Sequence, residues 1–405
     1  GGNDSITVED CQIIGQSVTT TSTYYALVYS YYNDVNYTTF LRNTMMNGSS
    51  AFYWYGSGSS TLEESNTIQD NVITDFYYYG LFFNYQNNLK MIGNYVEDAG
   101  VNTFSYTARR YYCDGASDFI GNTLVNRSGG YTMYAYYCDA TGTSPATIAN
   151  NFIINDNNTT GTNYGWFNYY SKYQKIYNNN FYHTGSNGSY QAVRLYFSST
   201  IYAGNEFKNN IVETSSSATP IYIYAPSTTS LVSDYNVYHH PNTTIGYYNS
   251  NYNDLAAMQT GASTDANSMS LDPYYTDPMN ADLHIGNSAL DGAALSVGLT
   301  VDIDGDARPT AIDIGADERL FPANDVAPSQ LLSPSNPFCG DSAQIEVVVM
   351  NTGIDTLTSA NVHYSLNGTA GTTFSWTGAL AANQSDTVSI ASSAFNEGDE
   401  LIVWT

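Results

Sequence analysis

The chain has 405 residues, enough for two or three domains of roughly 100–200 residues each. Only 12% of residues are charged, yet 37 acidic against 11 basic side chains leave a formal charge of −26, which excludes nucleic acid and anionic lipid as partners of the surface at large. No apolar run approaches the roughly 18–20 residues of a membrane span, and four cysteines make no disulfide framework. Few charges, 39 tyrosines and many hydroxyls and amides predict an all-β protein that is secreted, extracellular or at the cell surface, with no membrane insertion.

The chain opens Gly1-Gly2-Asn3-Asp4 without an initiator Met or signal peptide, and it stops at Leu401-Ile402-Val403-Trp404-Thr405 inside an apolar alternation. Chains seldom end in an open strand pattern, so a fragment of a longer protein is expected.

Through the first 240 residues a pattern apolar-x-x-Asn-x-apolar recurs, centred on Asn43, Asn71, Asn94, Asn122, Asn151, Asn179, Asn210 and, more loosely, Asn236. A first copy, Val8 to Ile13, has Cys11 where the Asn would stand. Between copies run aromatic segments such as Ala51-Phe52-Tyr53-Trp54-Tyr55, Tyr79-Gly80-Leu81-Phe82-Phe83 and Tyr131 to Asp139. Each period holds two or three short strands and nothing of helical spacing. One such unit cannot bury its own apolar face, so the units must stack. Stacking in parallel predicts a β-helix of about nine rungs over residues 1–250. Asn suits the turns because it tolerates left-handed geometry, and its amide can repeat from rung to rung as a ladder. These Asn residues are therefore expected to be structural. Cys113 and Cys138 should stack on neighbouring rungs, as small apolar residues or as a disulfide; Cys11 and Cys339 have no evident partner. His183, His239, His240, His284 and His363 are scattered, and His239-His240 is read as the end of the last rung.

These repeats resemble the right-handed parallel β-helix of pectate-lyase-like proteins. Beyond Tyr247 the periodicity stops. The Asp272-Pro273, Asp277-Pro278, Asp282 to Ile285, Ser288 to Asp291, Asp302 to Pro309 and Ile312 to Glu318 motifs resemble a segment of the choice-of-anchor type that follows such repeats in secreted bacterial proteins. Residues 251–325 are read as an Asp/Pro-rich cap, since an open stack needs an end that covers its last rung. Pro322 to Pro334 reads as a linker. Residues 326–405 read as a β-sandwich, truncated, from the alternations at Ile345 to Val349, Val362 to Leu366, Thr387 to Ile390 and Leu401 to Trp404, with a tight turn at Asn367-Gly368. With Asn351-Thr352-Gly353 this part resembles the Ig-like modules of large Bacteroidota surface adhesins exported by the type IX pathway. That resemblance implies secretion and cell-surface anchoring machinery as partners. The triplets at Asp4, Asp341, Asp355 and Asp386 resemble the O-glycosylation motif of that phylum.

Galacturonase-like hydrolysis needs paired carboxylates. The family carries them in motifs of which Asp-Asp, Gly-His-Gly and Arg-Ile-Lys are missing here. Arg109-Arg110 is the one basic pair within the repeats, and strand alternation sends one of the two inward. The bland reading is an Arg snorkelling out at a strand end; the sharp one is a catalytic base. Asp302, Asp304 and Asp306 offer carboxylates to Ca2+, against the alternative of a turn in the cap; Gly305 falls too early for an EF-hand loop. The tyrosines are the strongest functional signal. Tyr77-Tyr78-Tyr79 cannot all face inward, and outward rings stacked along a rod make an amphipathic strip. Tyr77, Tyr78, Tyr79, Tyr134 and Tyr136, with Arg109 and Arg110, form the candidate ligand-binding set. The leading expectation is a non-catalytic adhesin segment that holds extracellular polysaccharide or substratum, in attachment or gliding. The alternatives are a polysaccharide lyase or hydrolase and a purely structural spacer.

Overall fold

The computed structural model describes residues 3–157, 161–185, 189–215, 217–227, 229–241, 244–335 and 342–405, with backbone alone at 3 and 4. Cys339 and Asp341 lie outside the described residues. The chain divides into two compact units, Gly1–Ile285 with Gly292–Glu318, and Gly286–Asp291 with Arg319–Thr405.

The first unit is a parallel β-solenoid built of two nine-stranded sheets and an eleven-stranded third sheet. The first sheet runs from Thr7–Glu9 to Leu231–Asp234 and the second from Gln12–Ile14 to Val237–His239. The third carries the aromatic segments from Ala26–Tyr31 through Tyr79–Asn87 and Ser105–Asp114 to Gly246–Tyr248. Inward positions form one continuous core: Phe52, Leu81, Ala108, Met133, Trp166, Val193 and Ile221 follow one another in register along the third sheet.

The recurring Asn forms the expected ladder, with a direction. Nδ2 of each residue donates to Oδ1 on the next rung, from Asn43 to Asn71 at 2.9 Å through Asn122 to Asn151 at 3.0 Å and on to Asn210 to Asn236 at 3.2 Å. The backbone N–H of each donates to the same oxygen, as in Asn94 to Asn122 at 3.0 Å. Each rung therefore needs an acceptor above it and supplies one to the rung below. Among the described residues none donates to Cys11 from below, so a side chain without an amide is tolerated there, while its own N–H reaches Asn43 Oδ1 at 3.0 Å. At the other end only an acceptor is required, and the buried Asp265 carboxylate takes donors from Asn236, Ser233, Ser268 and Tyr238. The left-handed residue of the turn is the one before the ladder Asn: φ is 52° at Arg42, 53° at Asp70 and Asn150, and 58° at Asn209. The ladder Asn itself fills the inside of the turn.

The stack ends under helix Leu255–Ala262, whose N-cap Asp254 accepts from Ala257 N–H at 2.8 Å and whose Leu255 and Met258 join the solenoid core. The irregular residues that follow do more than close the end. They lie along the flank of the second sheet, where Ala281, Leu283 and Ala316 pack on Val125, Phe152, Ile154 and Tyr182. The left-handed asparagines hold them there. Asn150 Nδ2 donates to Val301 O, Asn178 Nδ2 to Gly315 O and Asn209 Nδ2 to Leu295 O. Arg308, buried, closes the clasp onto Glu318 at 2.8 Å, Gly315 O at 2.9 Å and Asn150 Oδ1 at 3.1 Å. Gly315 has φ 104°, and a Cβ there would stand 2.5 Å from Asn180 Oδ1, so the close approach needs glycine.

The second unit is an antiparallel β-sandwich. One sheet joins Val326–Ser333, Ser342–Asn351 and Ser385–Ala394; the other sets Leu357–Leu366 between Phe374–Leu380 and Leu401–Trp404. Ile345, Val347, Val349, Val362, Trp376 and Val388 fill the space between them. The linker expected at Pro322 to Pro334 is corrected: most of it is the edge strand Val326–Ser333, where Pro328 is tolerated and irregular register follows it. Asn367-Gly368 makes the expected tight turn with φ of 50° and 76°. Asn351 is buried and ties its loop through Leu380 O, Asp355 O and the Gly353 N–H.

Candidate binding face

On the third sheet, alternation sends every second side chain outward, and parallel register places like above like. One file is unbroken along the sheet: Tyr29, Tyr53, Phe82, Arg109, Tyr134, Phe167, Arg194, Tyr222 and Tyr247. Tyr53 and Phe82 stack at 4.5 Å and Tyr134 and Phe167 at 5.6 Å. Where the file has an arginine, the flat guanidinium takes the place of a ring. Arg109 Cζ is 4.7 Å from the centre of Phe82, and Arg194 Cζ is 4.3 Å from that of Tyr222. A neighbouring file runs Tyr111, Tyr136, Tyr169, Tyr196 and Tyr224 with centroids 4.7–5.6 Å apart and planes within 18°. On its other side Tyr79, Tyr106, Tyr131 and Tyr164 stack at 5.0–5.4 Å. At the sheet corner Tyr85, Tyr112 and Tyr137 stack too and Tyr170 leans on Tyr137 at a tilt of 37°, each of the four in the left-handed conformation with φ of 49–59°. That conformation is unusual for a bulky side chain, and here the ring stack holds it on successive rungs.

The centroid spacing exceeds the about 3.5–4.0 Å thickness of an aromatic contact, so the rings overlap as tilted shingles. Solvent meets ring edges, a strip of each face and rows of hydroxyls. Burial, with the neighbouring Tyr137 and Tyr111 phenols, pushes Tyr136 up to about 12, so its hydroxyl is a protonated donor at neutral pH. Neither Arg109 nor Arg194 has a carboxylate partner among the described ion pairs, and both bury an Nε without a hydrogen-bond acceptor.

Of the residues singled out in the sequence, Tyr79, Tyr134, Tyr136 and Arg109 are on this face. Tyr78 packs edge-on at its margin against Tyr79 and Tyr106, and Tyr77 lies in the turn before the strand. Arg110 is not on the face. It is the inward member of the pair, 1% exposed, in the middle of Ser105–Asp114, and it touches the Phe119 ring at 5.4 Å. The strand-end snorkelling reading fails for both arginines because the strand continues through them. Arg194 was missed: nothing in the sequence aligns it with Arg109 until register is known.

Inside the solenoid, Arg110 stands near a short polar lane of Glu63, Gln86 and Cys113, successive in register. Cys113 and Cys138 are both buried free thiols, and burial drives the Cys113 thiol upward. Glu63 Oε2 accepts from Trp54 Nε1 and, at 2.6 Å, from Gln86 Nε2, and burial raises its carboxyl to about 7. A carboxyl raised in the folded state binds more protons folded than unfolded, so stability falls as pH rises from its ordinary 4.5 through about 7. Glu63→Gln is expected to remove this slope. Unfolding midpoints at pH 5 and pH 8 check it: the variant should gain on the native chain at the higher pH, and an unchanged difference contradicts the assignment.

Asp302, Asp304 and Asp306 do not form one ligand set. Asp302 turns inward, accepting the N–H groups of Asp304, Asp306 and Glu318 at 2.8–3.0 Å, so it caps the turn. Asp304 pairs with His284 at 2.7 Å, and Asp306 is exposed.

The fold defines a parallel β-solenoid followed by an antiparallel β-sandwich. No protein-family model matches the chain, and a search of curated proteins finds no match to it.

Proposed function

We propose that this chain is a non-catalytic segment of a large secreted or cell-surface adhesin that holds extracellular polysaccharide, or a polysaccharide-coated substratum, on the aromatic face of its solenoid. The unbroken outward file from Tyr29 to Tyr247 carries the reading. Its rungs recur at about 4.8 Å, so an extended glycan lying along the sheet meets a ring or a guanidinium on successive rungs, except at Phe82, which is 2% exposed, with the hydroxyls of the neighbouring tyrosine file beside them. The resemblance to pectate-lyase-like repeats, a choice-of-anchor segment and Ig-like modules supports an exported protein that relies on secretion and anchoring machinery. The lyase or hydrolase alternative is weakened by Arg110 being sealed in the core and by Arg109 being clamped among rings with no ion pair to a carboxylate among the described residues.

Replacing Tyr111, Tyr136 and Tyr169 together by Ser tests the face. At about 0.5–1.5 kcal/mol per aromatic contact, retention on immobilised polysaccharide should weaken at least about tenfold. Undiminished retention would mean that the rings serve only to stiffen the sheet, as a spacer requires.

A further inference from the structure

Away from the aromatic face, three metal-ligating side chains meet on the outside of the second sheet at its last rungs. Glu213 and His239 are in register on the neighbouring strands Ile211–Thr214 and Val237–His239, and Asp272 comes from the irregular segment lying against that sheet. One ligand atom from each falls within 4.8 Å of the others.

The contacts between them are open. His239 Nδ1 is 3.4 Å from Glu213 Oε1, and its Nε2 is 3.9 Å from Asp272 Oδ2, both longer than a good hydrogen bond. Three buried atoms there have no hydrogen-bond partner: Glu213 Oε2, His239 Nδ1 and the Tyr275 hydroxyl. Tyr275 packs edge-on on Tyr182, which is in register with Glu213, and feels the charges of Glu213 and Asp272. Orphaned buried polar atoms are rare in folded proteins and costly where they occur, so three of them around the Glu213 and Asp272 carboxylates and His239 point to a missing ligand.

A second group of similar composition makes the contrast. His284, with Asp282, Asp304 and Asp317, has both ring nitrogens closed by hydrogen bonds, at 2.5 Å to Asp282 and 2.7 Å to Asp304. That imidazole is satisfied by its carboxylates and leaves nothing for a further ligand to complete.

The geometry points to a divalent-cation site of the Zn2+ class formed by Glu213, His239 and Asp272, with water in the remaining position. One imidazole and two carboxylates suit a borderline ion, whereas Ca2+ takes six or more oxygens. Bonds of about 2.0–2.2 Å in a tetrahedron set ligand atoms roughly 3.3–3.5 Å apart. Glu213 Oε1 and His239 Nδ1 already meet that separation. Asp272, the most exposed of the three at 40%, has its carboxylate 3.9 Å from the other ring nitrogen, Nε2, so it is the ligand that must move to reach an ion held between Glu213 Oε1 and Nδ1. The site is independent of the aromatic face and goes beyond the adhesive reading.

The test is calorimetric titration of the metal-free full chain with ZnCl2, with Co2+ as a visible-absorbing stand-in and with the unfolding midpoint followed in parallel. The native chain should take up one saturable equivalent with a Zn2+-dependent rise in midpoint. His239→Gln should bind at least about 100-fold more weakly, since even outer-shell losses cost 10–100-fold. Asp272→Asn, in an irregular and more exposed segment, should show the same loss, which guards against misfolding of the strand variant. His284→Gln should bind as the native chain does. No saturable equivalent, uptake undiminished in both His239→Gln and Asp272→Asn, or loss confined to His284→Gln would overturn the assignment.

Discussion

Asn122→Ala is expected to destabilise the solenoid by about 3–5 kcal/mol, because it leaves buried donors without an acceptor at about 1–3 kcal/mol each. Both the backbone N–H and the side-chain amide of Asn94 donate to Asn122 Oδ1, at 3.0 and 2.9 Å. The change also removes the Asn122 amide from Met91 O and from Asn151 Oδ1. The turn is closed to solvent, since Asn94, Asn122 and Asn151 are all essentially unexposed. The direction of the ladder gives the comparison that makes the prediction sharp. Cys11→Ala occupies the same turn in the first described rung, where Cys11 is exposed and no described residue donates to it from below, and should cost less than about 1 kcal/mol, the usual range for a surface change. Denaturant titrations of both variants check the pair. Equal costs at the two positions would mean that the ladder is incidental to stability.

Arg110→Met is expected to act in the opposite direction, raising stability by about 1–4 kcal/mol. All three guanidinium nitrogens of Arg110 are buried without a hydrogen-bond acceptor, and no carboxylate pairs with it among the described ion pairs. Its surroundings are Phe83 and Ala135 in register on either side, the Cys113 and Cys138 thiols, which feel its charge, and the ring of Phe119, whose face recovers only part of the lost hydration. Methionine fills a similar length, adapts to an irregular gap and carries no charge. Chemical denaturation at one pH compares the two chains. A loss of stability on substitution would show that the guanidinium is held by groups that the apolar side chain cannot replace.

The contrast between Arg109 and Arg110 shows how far the sequence can be read. Alternation alone predicts that one of them points inward, and it does. Which one depends on the phase of the strand, fixed by Ala108 facing the core and Arg109 facing out. The Asn repeat announced the solenoid and its ladder, because the periodic requirement for a buried amide leaves its mark at every rung. The doublets Asn150-Asn151, Asn178-Asn179 and Asn209-Asn210 carried more: the first Asn of each holds the irregular segment, whereas Asp70-Asn71 and Gly121-Asn122 do not. The outward files could be anticipated as a class from the count of tyrosines. Their membership could not, since Arg194 joins Arg109 only once strands are registered. The edge strand Val326–Ser333 hid behind its prolines, and the Glu213, His239 and Asp272 group joins residues 26 and 33 positions apart that no local motif connects.

The measurement that bears most directly on the adhesive face is retention of the purified chain on a panel of immobilised polysaccharides, with product release followed in the same tubes. Saturable retention is expected, weakened by the Tyr111, Tyr136 and Tyr169 substitutions, with no new reducing ends and no unsaturated products. Cleaved oligosaccharide would contradict the non-catalytic reading, and a chain that is retained by no polysaccharide on the panel would contradict the binding face itself.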